Sequence, residues 1–140
     1  MLLPLRPGVT LGQPDGGPLI ETERLKLRRW RGSDVAANTA MLSDPAAARY
    51  ITVDGKPVTS ELAGWRNAAV MAGHWALRGF GMFVVEEKSS GKFVGRVGPW
   101  FPPGWPGFEV GWAVARVSRQ GLCRGGGARI DRLVLRHFRD

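Results

Sequence analysis

The segment formed by residues 108–138 restricts the fold of this chain more than any other. It begins with a strand-like run, residues 108–115, continues through a loop of glycines and arginines, residues 119–127, and ends with the apolar spacing of an amphipathic helix. Glycines leave backbone N–H groups uncovered, and a helix behind them contributes the positive end of its dipole. The segment therefore predicts a strand, an anion-binding loop and a helix in succession.

The glycine-arginine loop has the donors that a phosphate or pyrophosphate group needs. Its arginines would add charge-assisted hydrogen bonds to those of the backbone. The candidate binding residues are Arg119, Gly121, Arg124, Gly125, Gly126 and Gly127. A glycine loop before a helix is also a common flexible connection, so the loop alone leaves both interpretations open.

Four apolar runs predict a sheet. In residues 22–30, Leu25 and Leu27 alternate with basic residues, which indicates a half-buried strand. Its exposed side would carry Arg24, Lys26 and Arg28. Three further strands, joined by turns, are residues 75–86, 93–100 and 109–114. Consecutive strands joined in this way form an antiparallel meander, so we expect a mostly antiparallel sheet of about four strands.

Three helices are predicted between the first strand and the meander. The residues that can cap them are Ser33, Asp44 with its following proline, and Thr59 or Ser60. The third helix, residues 61–72, places Trp65 on an apolar stripe, and we expect that stripe to pack in the core. Helices flanking the sheet make the fold class α+β.

Length and composition bound the domain organisation. A chain of 140 residues with 44% hydrophobic and 23% charged residues is one globular domain, which we assign to residues 18–140. Residues 1–17, rich in proline and glycine, are expected to be a disordered leader without a function. No apolar run predicts a membrane span, and a single cysteine fits a reducing cytoplasm.

The net charge of +8 would ordinarily indicate a nucleic-acid or anionic partner. Residues 116–140 contain seven arginines and two aspartates, so this tail carries +5 of the total. The excess belongs to the tail, and we expect no nucleic-acid partner for the domain. A small nucleic-acid binder that uses the tail stays open as another interpretation.

His74 is the strongest candidate for a metal ligand, and it is a weak one. No second histidine, cysteine or acidic residue stands near it at ligand spacing. We therefore expect His74 to be structural and the protein to bind no metal.

Three motifs in one order resemble the GNAT superfamily of acyl-CoA-dependent N-acyltransferases. They are residues 20–30, 73–82 and 104–112, and the similarity runs from about Pro18 to Ala115. The branch that the chain resembles is the RimJ/RimL type, which acetylates protein N-termini and similar amines. The resemblance implies transfer of an acetyl group from acetyl-CoA, as co-substrate, to a primary amine of a protein N-terminus or a small molecule.

The same resemblance implies site residues. In GNAT enzymes the strand equivalent to residues 109–114 splays from its neighbour, and free backbone groups hold the pantetheine arm and the thioester carbonyl. The equivalent groups here are those of Ala113 and Val114. Glu109 stands where several relatives have a carboxylate that accepts the amine proton, directly or through water. A surface ion pair with an arginine is the other interpretation of Glu109.

The superfamily's pyrophosphate loop, Gln/Arg-x-x-Gly-x-Gly/Ala, is matched only in part. Arg124 and Gly127 fit, but Arg129 occupies the last position. The residues from Arg119 onward can be written as their possible codons, and the reading frame can then be moved by one base. The new triplets permit the sequence Gly-Lys-Gly-Tyr-Ala-Glu-Glu-Ala-Ala, which is the loop and helix start expected for the superfamily. We therefore hypothesise a frame slip between about Ala115 and Arg119. Resequencing the locus and finding the shifted frame closed by an early stop codon would contradict it.

A slipped chain would be a partial GNAT domain that lacks the superfamily's C-terminal strands. It would bind acetyl-CoA weakly or not at all, and would expose a sheet edge through which two copies could form a homodimer. The alternative function is therefore an inactive remnant that acts as an oligomeric or interaction module.

Overall fold

The computed structural model describes residues 18–52 and 54–115 of the chain. The elements are β1 (Pro18–Glu21), β2 (Leu25–Arg28), α1 (Asp34–Ser43), α2 (Pro45–Ile51), α3 (Glu61–Arg78), β3 (Phe83–Glu87), β4 (Phe93–Trp100) and β5 (Glu109–Val114). The strands form one antiparallel sheet in the order β1-β2-β3-β4-β5. The predicted α+β class is confirmed, with five strands in place of about four.

The additional strand comes from a hairpin at the start of the described chain. The sequence predicts one strand over residues 22–30, but the chain turns at Thr22. The Leu25 N–H donates to the Thr22 hydroxyl oxygen over 3.0 Å, and the Thr22 N–H donates to the Leu25 carbonyl over 2.9 Å. These bonds reverse the chain, so β1 pairs with β2.

Helix α3 is longer than the sequence pattern predicts. Residues 75–78, assigned above to a strand, form its last turn, and β3 begins only at Phe83. The helix ends at Gly79, which has a φ of 76° and donates its N–H to the Trp75 carbonyl over 2.9 Å. Glycine adopts this left-handed conformation without steric cost, so Gly79 determines the end of the helix.

The core face of α3 also differs from the predicted stripe. The residues that face the core are Gly64, Ala68, Met71, His74 and Trp75. Trp65 is 55% exposed, so the prediction that it packs in the core is wrong. The reason is the close approach of α1 and α3: a Cβ at Gly64 would collide with the Thr39 side chain, so the stripe that contains Gly64 is the one that can face α1.

A buried ion pair joins β2 to the start of α1. Arg28, predicted to be exposed, is 4% exposed and donates from Nη1 and Nη2 to the two Asp34 carboxylate oxygens, each over 2.8 Å. Glu86 lies 3.4 Å from Arg28 Nε. The hydrogen bond to Asp34 is the main cause that raises the pKa of Arg28. The alternation of residues 22–30 could not reveal this, because the two carboxylates that face Arg28, those of Asp34 and Glu86, lie outside it.

The predicted helix caps are confirmed in two cases of three. The Ala46 N–H donates to Asp44 Oδ1 over 3.0 Å, and the Ala63 N–H donates to Ser60 Oγ over 3.1 Å. Ser33 precedes α1 but makes no capping hydrogen bond through its side chain. Asp34 instead accepts from the Arg31 N–H over 2.7 Å.

One carbonyl group joins β2, α3 and β3. The indole N–H groups of Trp30 and Trp75 both donate to the Met82 carbonyl, over 3.0 and 2.8 Å. The Trp75 ring also contacts Phe83 edge-on, with ring centroids 4.9 Å apart. These contacts fix the chain where it leaves α3 and enters the meander.

His74 is structural, as predicted. Its Nδ1 is 2.6 Å from the Phe80 carbonyl oxygen, and the Phe101 N–H donates to its Nε2 over 3.1 Å. Its ring stacks on Trp100 at 4.4 Å between centroids. A proton on Nδ1 satisfies both bonds, so the neutral ring bridges α3 to the end of β4.

No helix within the described ranges is both long and apolar enough to cross a membrane.

The Arg28–Asp34 pair gives the first prediction. Asp34→Asn keeps the acceptor for the Arg31 N–H but leaves the buried guanidinium with a weaker partner. We expect it to lower the free energy of unfolding by about 3 kcal/mol in urea denaturation. The matched control is Lys88→Met, which breaks an exposed pair with Glu21 and should cost less than about 1 kcal/mol. Equal losses for the two variants would contradict a structural role of the buried pair.

The His74 bridge gives the second prediction. His74→Ala loses two hydrogen bonds and a stacked ring, and should lower the free energy of unfolding by about 3 kcal/mol. Leu77→Ala, on the same helix and at a side chain that is 88% exposed, should change it by less than about 0.5 kcal/mol. Stabilisation by added zinc of the parent chain, absent in His74→Ala, would show that His74 is a metal ligand after all.

Candidate functional site

A groove of about 640 Å³ lies over the face of β4 and β5 on which the helices pack. Helix α3 forms one wall with Ala63, Arg66, Asn67 and Val70, whose spacing places them on one helical face. The opposite wall and the floor come from the sheet and from the turn before β5. The residues there are Met82, Arg96, Trp100, Trp105, Glu109, Gly111, Trp112 and Ala113.

A second cavity, of about 480 Å³, lies between α2 and β5. Ala47, Tyr50 and Ile51 line it from α2, and residues 111–114 line it from β5. Both cavities are lined by the end of α2 and the middle of β5. They therefore form one cleft that follows β5 along most of its length.

The outer edge of β5 provides hydrogen-bonding groups to this cleft. The Ala115 N–H donates to the Val94 carbonyl over 2.8 Å, and the register from Gly95 paired with Val114 onward is regular. Backbone groups in an antiparallel pair alternate in direction, so Ala113 directs its N–H and C=O toward β4 while Trp112 and Val114 direct theirs outward. No strand of the described chain pairs with that outer edge.

The two residues predicted to hold the pantetheine arm thus differ. Val114 presents its backbone groups to the outer edge, whereas those of Ala113 face β4. Ala113 itself is buried and packs against Met41 and Ala47. Its carbonyl lies so close to Gly95 that a Cβ there would collide with it, so glycine at that position allows β4 and β5 to approach.

Glu109 begins β5 and is exposed at the mouth of the groove. It makes no ion pair with a described residue, so the predicted surface pair with an arginine is not seen in this part of the chain. Gly111 follows on the same face of the strand and has no side chain. A Cβ at Gly111 would lie only 2.9 Å from Met82 Cε, so the Met82 methyl group covers the floor between Glu109 and Ala113.

Arg96, which the sequence reasoning did not identify, lies on the floor of the groove. It is 4% exposed, and Nη1 donates to the side-chain oxygens of Asn67 over 2.7 Å and Asn38 over 3.4 Å. Burial lowers the pKa of Arg96 to about 10. The available signal was an arginine inside an otherwise apolar strand, which must be either paired or functional.

The predicted pyrophosphate loop lies outside the described residues. Its residues are Arg119, Gly121, Arg124, Gly125, Gly126 and Gly127. The predicted leader and the site of the hypothesised frame slip also lie outside the described residues. Among residues 18–52 and 54–115, no three potential metal ligands of the His, Cys, Asp or Glu type lie together.

Solved acetyltransferases have the same fold. The chain is similar to an acetyltransferase from Agrobacterium tumefaciens str. C58, with a TM-score of 0.67, 23% identity and coverage of 95% of this chain and 70% of that one. The chain is also similar to a putative GnaT-family acetyltransferase from Bordetella pertussis, with a TM-score of 0.65, 25% identity and coverage of 84% of this chain and 70% of that one. For a GNAT-family acetyltransferase from Bacillus anthracis the TM-score is 0.61 and the identity 20%, with coverage of 85% of this chain and 64% of that one.

No curated protein matches the chain in sequence. A model of the acetyltransferase (GNAT) domain family matches residues 24–139, which is most of the chain. The family predicted from the three motifs is therefore confirmed, and the chain belongs to the GNAT acetyltransferase domain family.

Proposed function

We propose that the protein transfers an acetyl group from acetyl-CoA to a primary amine. Acyl transfer is the reaction of its family. The observation that carries the proposal is the outer edge of β5, which no strand within residues 18–115 pairs with, beside a cleft that leads to Glu109. One end of the cleft offers backbone donors and acceptors, and the other offers a carboxylate.

The donor side is the cavity between α2 and β5. The amides of a pantetheine arm can pair with an open strand edge as an added strand does, and the outward groups of Trp112 and Val114 are the partners available. Ala47 and Ile51 supply apolar contacts to the methylene groups of the arm. Residues beyond Ala115 would hold the diphosphate, and the predicted loop is the proposed place for it.

The acceptor side is the groove above β4 and β5. An ammonium group loses its proton to the Glu109 carboxylate, directly or through one water. The neutral amine then attacks the thioester carbon: a C–N bond forms, the C–S bond breaks, the thiolate leaves with the bonding pair, and the surplus proton of the attacking nitrogen neutralises that thiolate. An outward N–H of β5 can stabilise the developing oxyanion.

The acceptor class is also a proposal. A protein N-terminus, as in the RimJ/RimL-type branch, or a small-molecule amine fits an open groove with aromatic walls. The cytoplasm is the proposed compartment, since acetyl-CoA is the donor and the single cysteine predicts no disulfide within the chain.

Binding of the donor tests the β5 edge. Acetyl-CoA at 100 times its Kd would stabilise the chain by about 2.7 kcal/mol, which is roughly 10 °C in melting temperature. Val114→Pro removes one outward N–H and no bond to β4, so it should lose much of this shift. Val114→Ala keeps the N–H and is the matched control.

Two results would contradict the proposed donor site. One is an equal shift in both Val114 variants. The other is no shift in the parent chain combined with dimerisation that depends on protein concentration, which would favour the oligomeric module instead.

Glu109→Gln tests the proton acceptor. Because the amide cannot take the proton, kcat should fall by roughly 10²- to 10⁴-fold with little change in the KM for acetyl-CoA. The measurement is release of free thiol in the presence of an amine, and Glu23→Gln, at an exposed site, is the control. An unchanged kcat would remove Glu109 from the mechanism.

A further inference from the structure

Arg96 is a buried cation beside which the described part of the chain places no carboxylate. Arg28 shows how a buried cation is usually neutralised, because two carboxylates lie beside its guanidinium. Arg96 makes no ion pair with a described residue, and its only described side-chain acceptors are two amide oxygens. Burying a charge without a counter-charge is unfavourable, and the lowered pKa of Arg96 reflects that.

The guanidinium of Arg96 has hydrogen-bonding capacity left. Arginine has five N–H donors, and both described bonds of Arg96 leave from Nη1. The three N–H groups on Nε and Nη2 have no described partner, and the residue lines the groove. A planar fork of this kind matches the two oxygens of a carboxylate.

The lining of the groove includes one guanidinium, that of Arg96, and one carboxylate, that of Glu109. Arg96 is the β partner of Ala113, and Gly111 lies two residues along the same face, about 7 Å away. A Cβ built at Gly111 would be 4.0 Å from Glu109 Oε1 and 2.9 Å from Met82 Cε, so the Glu109 carboxylate reaches back to that level and the Met82 methyl group provides an apolar contact there. An α-amino acid carries its amine and its carboxylate on one carbon, so it can present one group to each of two charged side chains that line the same groove.

We propose that the acceptor is an α-amino acid with an apolar or aromatic side chain, whose carboxylate Arg96 binds while its amine faces Glu109. The tryptophan side chains of the groove supply the apolar contacts. Arg66, exposed on the α3 wall, adds a second positive charge at the mouth. This proposal rests on the acetyl transfer proposed above.

The competing explanation is that Arg96 only holds the helices to the sheet. Asn38 donates to the Asn67 side-chain oxygen over 3.0 Å, so the two amides bond to each other without the arginine. Arg96→Met therefore leaves an intact amide pair and removes a buried charge, and we expect it to fold. Arg96→Lys keeps the charge and loses the planar fork.

The experiment compares matched acceptors. Phenylalanine, methionine and leucine are each tested against their carboxamides at saturating acetyl-CoA, with kcat/KM from thiol release. The parent chain should prefer at least one acid over its amide by roughly 10- to 100-fold, which is the range of a charge-assisted hydrogen bond. Arg96→Met should reduce that preference to within about threefold, and Arg96→Lys should give an intermediate value.

Other results would overturn the assignment. They are equal or faster transfer to the amides, a preference that survives in Arg96→Met, or transfer to neutral amines with none to the acids. If no amine is acetylated, the proposed function fails, and calorimetry of the same acids with the parent chain and Arg96→Met still tests the carboxylate site. Binding to the parent chain that Arg96→Met loses would support the site, and equal or absent binding would overturn it.

Discussion

The six-residue pairing of β4 with β5 is the constraint on which the cleft depends. It places Glu109, Gly111 and Ala113 on the helix side of the sheet and directs the backbone groups of Trp112 and Val114 outward. A shift of one residue would exchange the two faces and remove Glu109 from the groove. The close approach at Gly95 helps to fix this register, because a larger residue would push the strands apart.

The two buried arginines show how environment separates structure from function. Arg28 is held by Asp34 and Glu86, and its pKa is raised, so its charge is satisfied within the fold. Arg96 is held by amides, and burial lowers its pKa. Arg28 connects β2 to α1, and its charge needs no further partner. The second stands in an open groove and would gain from an anion that enters it.

Much of the architecture could be read from local chemistry. The caps at Asp44 and Ser60 and the apolar alternation of Leu25 and Leu27 predict α2, α3 and β2, and the turn-joined meander is correct except that its first strand begins at Phe83. The predicted burial of Trp65 was wrong because α3 carries two stripes with helical spacing, one through Trp65 and one through Gly64, displaced from each other by one residue. Which of them faces α1 depends on the room beside Thr39, and that is a tertiary property.

The candidate site was predictable only in part. Glu109 and Val114 came from a family resemblance, and the structure places both beside the cleft. Arg96 was missed because a sequence does not show whether a polar residue in an apolar strand meets a carboxylate, an amide or a cavity. Its partners, Asn38 and Asn67, lie on two helices far away in the chain.

The bond from two indoles to the Met82 carbonyl has a spectroscopic consequence. Trp30 and Trp75 are enclosed in the core, as is Trp100, while Trp65, Trp105 and Trp112 are 41–55% exposed. The chain's intrinsic fluorescence should therefore combine a short-wavelength emitting population with a solvent-relaxed one. Since two of the three exposed indoles, Trp105 and Trp112, line the groove and only Trp100 of the three enclosed ones does, quenching that is stronger on the long-wavelength side would report occupancy without any label.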